Sequence, residues 1–80
     1  MIFSNPELPA SYETCGDCYL TQARIFEQMI AEHEHGQLTE LEQEFLESCR
    51  EGIEQTRRCA RIYMKMAAIA QQVIDEEATQ

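Results

Sequence analysis

Eighty residues carrying 15 Asp or Glu against 6 Lys or Arg, for a net charge of −9, describe one small acidic domain. That balance argues against a protein that tracks nucleic-acid phosphates and against docking on an anionic membrane, since both need clustered positive charge. The most apolar stretch, around Met66 to Ala70, is far too short to span a bilayer.

The chain opens with Met1-Ile2-Phe3 and turns at once to Ser4-Asn5-Pro6, without the basic and long apolar regions of a secretory leader. The expected compartment is therefore the cytoplasm, where thiols stay reduced. Residues 1–11 read as an irregular arm, because Pro6 and Pro9 interrupt regular hydrogen bonding. Its apolar residues Ile2, Phe3 and Leu8 are expected to lie along a groove.

A first helix is expected over about 12–35. Tyr12, Cys15, Tyr19, Ala23, Phe26, Ile30 and His33 recur at three- and four-residue steps, which is one helical face. Ser11 or Thr14 is the expected cap, and Gly36 the stop, because glycine takes the left-handed conformation that follows a helix end.

A second helix is expected over about 39–77. Thr39-Glu40-Leu41-Glu42 is a capping box, in which Thr39 and Glu42 satisfy each other's backbone N–H groups. The expected stripe runs through Leu38, Leu41, Phe45, Cys49, Ile53 and Thr56, then Cys59, Tyr63, Met66, Ala70 and Val73. Gly52 is its one soft point, worth about 1 kcal/mol against alanine.

Together these elements predict an all-α antiparallel helical hairpin. At ~1.5 Å per residue the first helix spans about 30 Å and the second nearly twice that. The segment Ile62 to Ala70, apolar nearly all round, is thus expected to overhang and to need a cover. Either the N-terminal arm folds back over it or a second copy covers it; a second copy, with some help from the arm, is the expected cover, so the chain is expected to pack as a dimeric helical bundle.

The four cysteines admit several chemistries. A turn centred between Gly36 and Gln37 sets Cys15 level with Cys59, Arg57 opposite Asp17 and Arg61 opposite Glu13. Cys15 and Cys18 have the two-ligand bite of a zinc site, and Cys59 from the facing helix is the candidate third ligand. Alternatively Cys15 and Cys59 form a disulfide in an oxidising compartment, or Cys49 and Cys59 are small core residues. A thioredoxin-like role for Cys15 and Cys18 lacks the strand that should precede it. Cys49 and Cys59, with nine residues between them, resemble half of the twin CX9C hairpin of small mitochondrial proteins. The other pair is C-x-x-C, so that family's double disulfide cannot form in the same way. Cys15-Gly16-Asp17-Cys18 is similar to a zinc knuckle, but the second knuckle is missing. The chain is assigned to neither family.

Glu32 and His35 share the Glu-x-x-His spacing of carboxylate metal bundles, but beside Gly36 they read better as a solvated helix end. No phosphate loop, nucleophile elbow or serine–base pair is present, so no enzyme activity is expected. The leading function is a small acidic protein–protein interaction module, an adaptor, chaperone or inhibitor, acting as a homodimer. Its partner is expected on Ile62, Tyr63, Met66, Ile69, Ala70 and Val73, or on the acidic band with Glu44, Glu47 and Glu51. The alternatives are a zinc-binding protein using Cys15, Cys18 and Cys59, and an acidic nucleic-acid mimic that blocks a basic protein. Neither direct nucleic-acid binding nor membrane binding is expected.

Overall fold

The computed structural model describes residues 5–79 as two helices, α1 (Leu8–His33) and α2 (Glu40–Ala78), folded into a hairpin of 64 × 15 × 13 Å. The all-α hairpin with a long second helix is thus the architecture. The expected arm is shorter than its prolines suggest. Its first four residues, with Ile2 and Phe3, lie outside the described residues.

Helix α1 begins at Leu8, before the expected Tyr12, because Pro9 falls in the first turn. There its missing N–H has no helical partner to lose and its fixed φ suits the helix. Asn5 shapes the entry: its Oδ1 accepts from the Glu7 N–H (2.9 Å) and its carbonyl from the Leu8 N–H (3.1 Å). Ser11 and Thr14 therefore do not cap. Their hydroxyls donate to the carbonyls of Glu7 and Ala10 inside the helix. At the far end α1 stops at His33, and Gly36 takes φ +72°, the turn conformation expected of it.

Helix α2 starts as its capping box predicts. Thr39 Oγ1 accepts from the Glu42 N–H (3.2 Å), and Glu42 Oε1 accepts from the Thr39 N–H (3.3 Å). It runs unbroken past Gly52 and Arg58 to Ala78.

The helices meet along alternating three- and four-residue steps. On α1 these are Pro9, Tyr12, Gly16, Tyr19, Ala23, Phe26 and Ile30. On α2 they are Leu46, Cys49, Ile53, Thr56 and Ala60, then Tyr63, Ala67, Ala70 and Ile74. This is the heptad pattern of a two-helix seam. The fully buried positions are mostly small, and Leu46, at 1 % exposed, is the one large side chain wholly enclosed among the described residues. The rings gather in one cluster: Tyr12 and Tyr19 both pack on Tyr63, with centroids 6.2 and 5.6 Å away. Thr56, the one buried polar side chain among the described residues, donates to the carbonyls of Gly52 (2.8 Å) and Ile53 (3.0 Å).

The observed stripe differs from the expected one in α2. Leu41 is 77 % and Phe45 43 % exposed, while Leu46, Ala60 and Ala67 carry the seam. The expected stripe mixed seam positions with the flank beside them, because apolar residues occupy both. The register differs too. Gly16 lies against Met64, Gly52 against Phe26 and His33 against Phe45, so facing residues are offset by more than a helical turn from the symmetric turn assumed above. The cause is the turn itself: the connection after His33 runs on outward, and the first turn of α2 extends beyond the end of α1. Arg57 consequently pairs with Glu27 and not Asp17, and Arg50 pairs with Glu34 (2.7 Å).

The expected long overhang is also corrected. Because α1 starts at Leu8 and the register is shifted, α1 reaches the segment around Tyr63 to Ala70, and Ala67 and Ala70 are 3 % and 1 % exposed.

The two helical glycines predict opposite outcomes for one substitution. A Cβ on Gly52 would stand 2.9 Å from Phe26 Cε2 and 3.0 Å from Cζ, against a ring that cannot bend. A Cβ on Gly16 would meet only the flexible Met64 side chain, nearest at its methyl carbon, 2.7 Å away. Gly16→Ala is expected to raise stability by up to ~1 kcal/mol through helix propensity. Gly52→Ala is expected to lower it by about 1 kcal/mol, the overpacking outweighing the same propensity gain. Urea denaturation checks both, and Phe26→Leu added to Gly52→Ala should restore part of the loss. Equal shifts at the two sites would contradict the ring contact.

Candidate interaction surface

In an antiparallel pair the positions flanking the seam meet their own kind, which gives the hairpin two distinct sides. On one side α1 presents Glu13, Leu20, Glu27 and Glu34, and α2 presents Arg50, Arg57 and Met64. The Glu27–Arg57 and Glu34–Arg50 pairs tie this side together. All four charged groups are about half exposed, so each pair contributes ~1 kcal/mol at most. A shallow groove beside the Glu27–Arg57 pair is lined by Leu20, Arg57, Ala60, Arg61 and Met64.

The opposite side has a different composition. On α1 it carries Leu8, Cys15, Gln22 and Met29, with Cys18 and Ile25 outside them. On α2 it carries Phe45, Gly52, Cys59, Met66 and Val73, with Ile62 and Ile69 outside them. None of these is charged, in a chain where 26% of residues are. Several large apolar side chains here stay in water: Ile25 and Ile62 are each 51 % exposed, Ile69 47 %, Phe45 43 % and Met66 36 %.

The expected partner-binding residues therefore separate. Ile62, Met66 and Ile69 stand exposed together on the uncharged flank, and Val73 is half-buried beside them. Ala70 is turned into the seam, and Tyr63 is half-buried against Tyr12 and Tyr19, so both hold the hairpin together. Glu44, Glu47 and Glu51 are exposed along the outward face of α2. Glu51 borders a shallow charged groove shared with Glu54, Gln55, Arg58 and Arg61. Reasoning from sequence missed Ile25 and the exposure of Phe45. The available signal was the unbroken heptad stepping on both helices, which leaves each of them one position off the seam.

All four thiols are free. Cys49 is buried in the seam, Cys15 and Cys59 are half-buried, and Cys18 is exposed. The shifted register sets Cys15 and Cys59 several ångströms apart along the axis in addition to the helix spacing, beyond the ~7 Å between α-carbons that a disulfide spans. Among the described residues no group of three His, Cys, Asp or Glu side chains comes together to hold a metal ion, so Cys15, Cys18 and Cys59 do not form the expected cluster. Glu32 accepts from Gln28 Nε2 (3.2 Å), and the histidine with local contacts is His33. Its Nδ1 donates to the Met29 carbonyl (2.8 Å) and its ring meets Phe45 edge-on. No described helix is long and apolar enough to cross a membrane.

This placement predicts a graded response to serine substitution. Cys18→Ser should change stability by less than ~0.5 kcal/mol, as exposed substitutions do. Cys49→Ser should cost about 1–2 kcal/mol, because it puts a hydroxyl in an apolar seam. Thermal melts followed by circular dichroism separate the two, and a large loss at Cys18 would revive a metal-clamped fold. Compared with known protein families, with curated proteins and with solved structures, the chain matches none.

Proposed function

We propose that this chain is a small acidic protein–protein interaction module, an adaptor, chaperone or inhibitor, that works as a homodimer in a reducing compartment. The observation that carries the reading is the row Ile62, Met66 and Ile69, left in water on a helix whose outward face is acidic toward the turn and carries Arg58, Arg61 and Lys65 beside the row. Large apolar groups grouped on one face mark a surface made for a partner. The acidic band with Glu44, Glu47 and Glu51 offers a second surface, suited to a basic protein.

The reading is tested by affinity capture with two variants. In one, Ile62→Glu places a charge on the apolar row. In the other, Glu44, Glu47 and Glu51 are all changed to Lys. Loss of a specific partner with either variant supports the reading and says which surface binds. Partner sets unchanged by both variants would sink it. Binding abolished by salt and by the lysine variant alone would turn the reading toward mimicry of nucleic acid.

A further inference from the structure

We infer that two copies of this chain meet through the uncharged flank, each covering the other's Ile62, Met66 and Ile69, with Cys15, Cys18 and Cys59 enclosed between them. The inference rests on the homodimer reading above and deepens it by assigning the face.

Area is the first argument. A folded monomer of 9.3 kDa exposes about 5,000 Å² by the usual scaling with mass. The whole chain exposes 6182 Å², about 1,200 Å² more. A stable dimer needs ~800 Å² from each partner. The excess is larger than that share, and a face running the 64 Å length of the rod is long enough to supply it. The core makes the same demand from the inside: its buried residues are mainly alanine, so the seam alone removes little apolar area from water.

Charge is the second argument. Two chains of net charge −9 repel wherever their carboxylates meet. In a two-fold interface the same patch lies on both sides, so a patch whose only charges are carboxylates sets carboxylate against carboxylate. The uncharged flank is the side of the hairpin on which a second copy approaches without that penalty. On α1 the first carboxylate at its margin is Glu32 and on α2 it is Glu76, each at an end of its helix. A basic partner gains nothing on this flank, because the carboxylates it would pair with are turned outward.

The width of the apolar sector is the third. Each helix carries its seam and one further apolar edge on the same side. A single partner helix fills only the seam, and a second hairpin fills the edge, as in a four-helix bundle.

The test uses the intact chain in three forms: wild type, Ile62→Glu and Ile69→Glu. Both isoleucines are about half exposed in the hairpin, so helicity should survive, and circular dichroism checks that it does. Sedimentation over a concentration series should show a wild-type dimer, and each charge, entering the interface twice by symmetry, should weaken it by roughly 100-fold. N-ethylmaleimide reports the face directly. In the dimer Cys15, Cys18 and Cys59 should be protected, and in the Ile62→Glu monomer Cys18 should react at the rate of an open thiol, while Cys49 stays slow in both. A dimer that survives both substitutions, with Cys18 still freely alkylated, overturns the assigned face and leaves the homodimer reading standing. A wild-type chain that is monomeric at every concentration overturns the inference and the homodimer together, leaving the binding of another protein to be judged by the capture experiment.

Discussion

Leu46→Ala is expected to lower the unfolding free energy by about 3 kcal/mol, with the urea midpoint falling and helicity retained in dilute buffer. The size follows from burial. Leu46 is 1 % exposed and is the one large side chain fully enclosed among the described residues, so its removal leaves a cavity with no neighbour free to fill it. A domain of this length holds only about 4–12 kcal/mol in total, so the loss is a large share. Leu41→Ala is the control: at 77 % exposure it should shift stability by less than ~0.5 kcal/mol. Similar losses at the two leucines would mean that the seam does not run through Leu46.

Ala67→Glu should be more damaging still, by about 4 kcal/mol or more, and is expected to leave the chain largely unfolded at room temperature. Ala67 is 3 % exposed and lies on the seam where the first turns of α1 cross α2. The seam flanks beside it carry Met64, Met66 and Gln71, none of which can pair with a carboxylate as a cation does. Far-ultraviolet circular dichroism reads the result, and Ala68→Glu, one residue along on the exposed face, should keep its helicity. A folded Ala67→Glu would show that this end of the hairpin is open.

These two residues also show what the sequence made legible. The capping box at Thr39, the stop at Gly36 and the length of α2 were readable because each rests on contacts within a few residues. The start of α1 was misread because proline blocks a helix interior yet suits a first turn, and only the placement of Asn5 and Glu7 decides between them. Leu46 and Ala67 were not assigned to the core for a different reason. With apolar residues on both the seam and its neighbouring flank, periodicity alone does not say which row faces the other helix. That choice depends on register, and register depends on the path of the turn, which no local pattern encodes. The candidate site shared this limit: Ile62, Met66 and Ile69 were found, but Tyr63 and Ala70 were grouped with them although they belong to the seam.

The distribution of side chains along the seam sets the order in which the hairpin comes apart. Near the turn it is held by Leu46, Phe26 and the Glu34–Arg50 pair, and away from it by the cluster of Tyr12, Tyr19 and Tyr63 and the small residues Ala67 and Ala70. The start of α1 at Leu8 and the end of α2 at Ala78 both lie away from the turn. A force pulling the helices apart from that end meets the alanine layers and the tyrosine cluster before Leu46, so the helices should unzip toward the turn. Refolding should run the other way, growing from a short loop closure that takes about 10–100 ns and adding contacts that are always nearest in sequence to those already made.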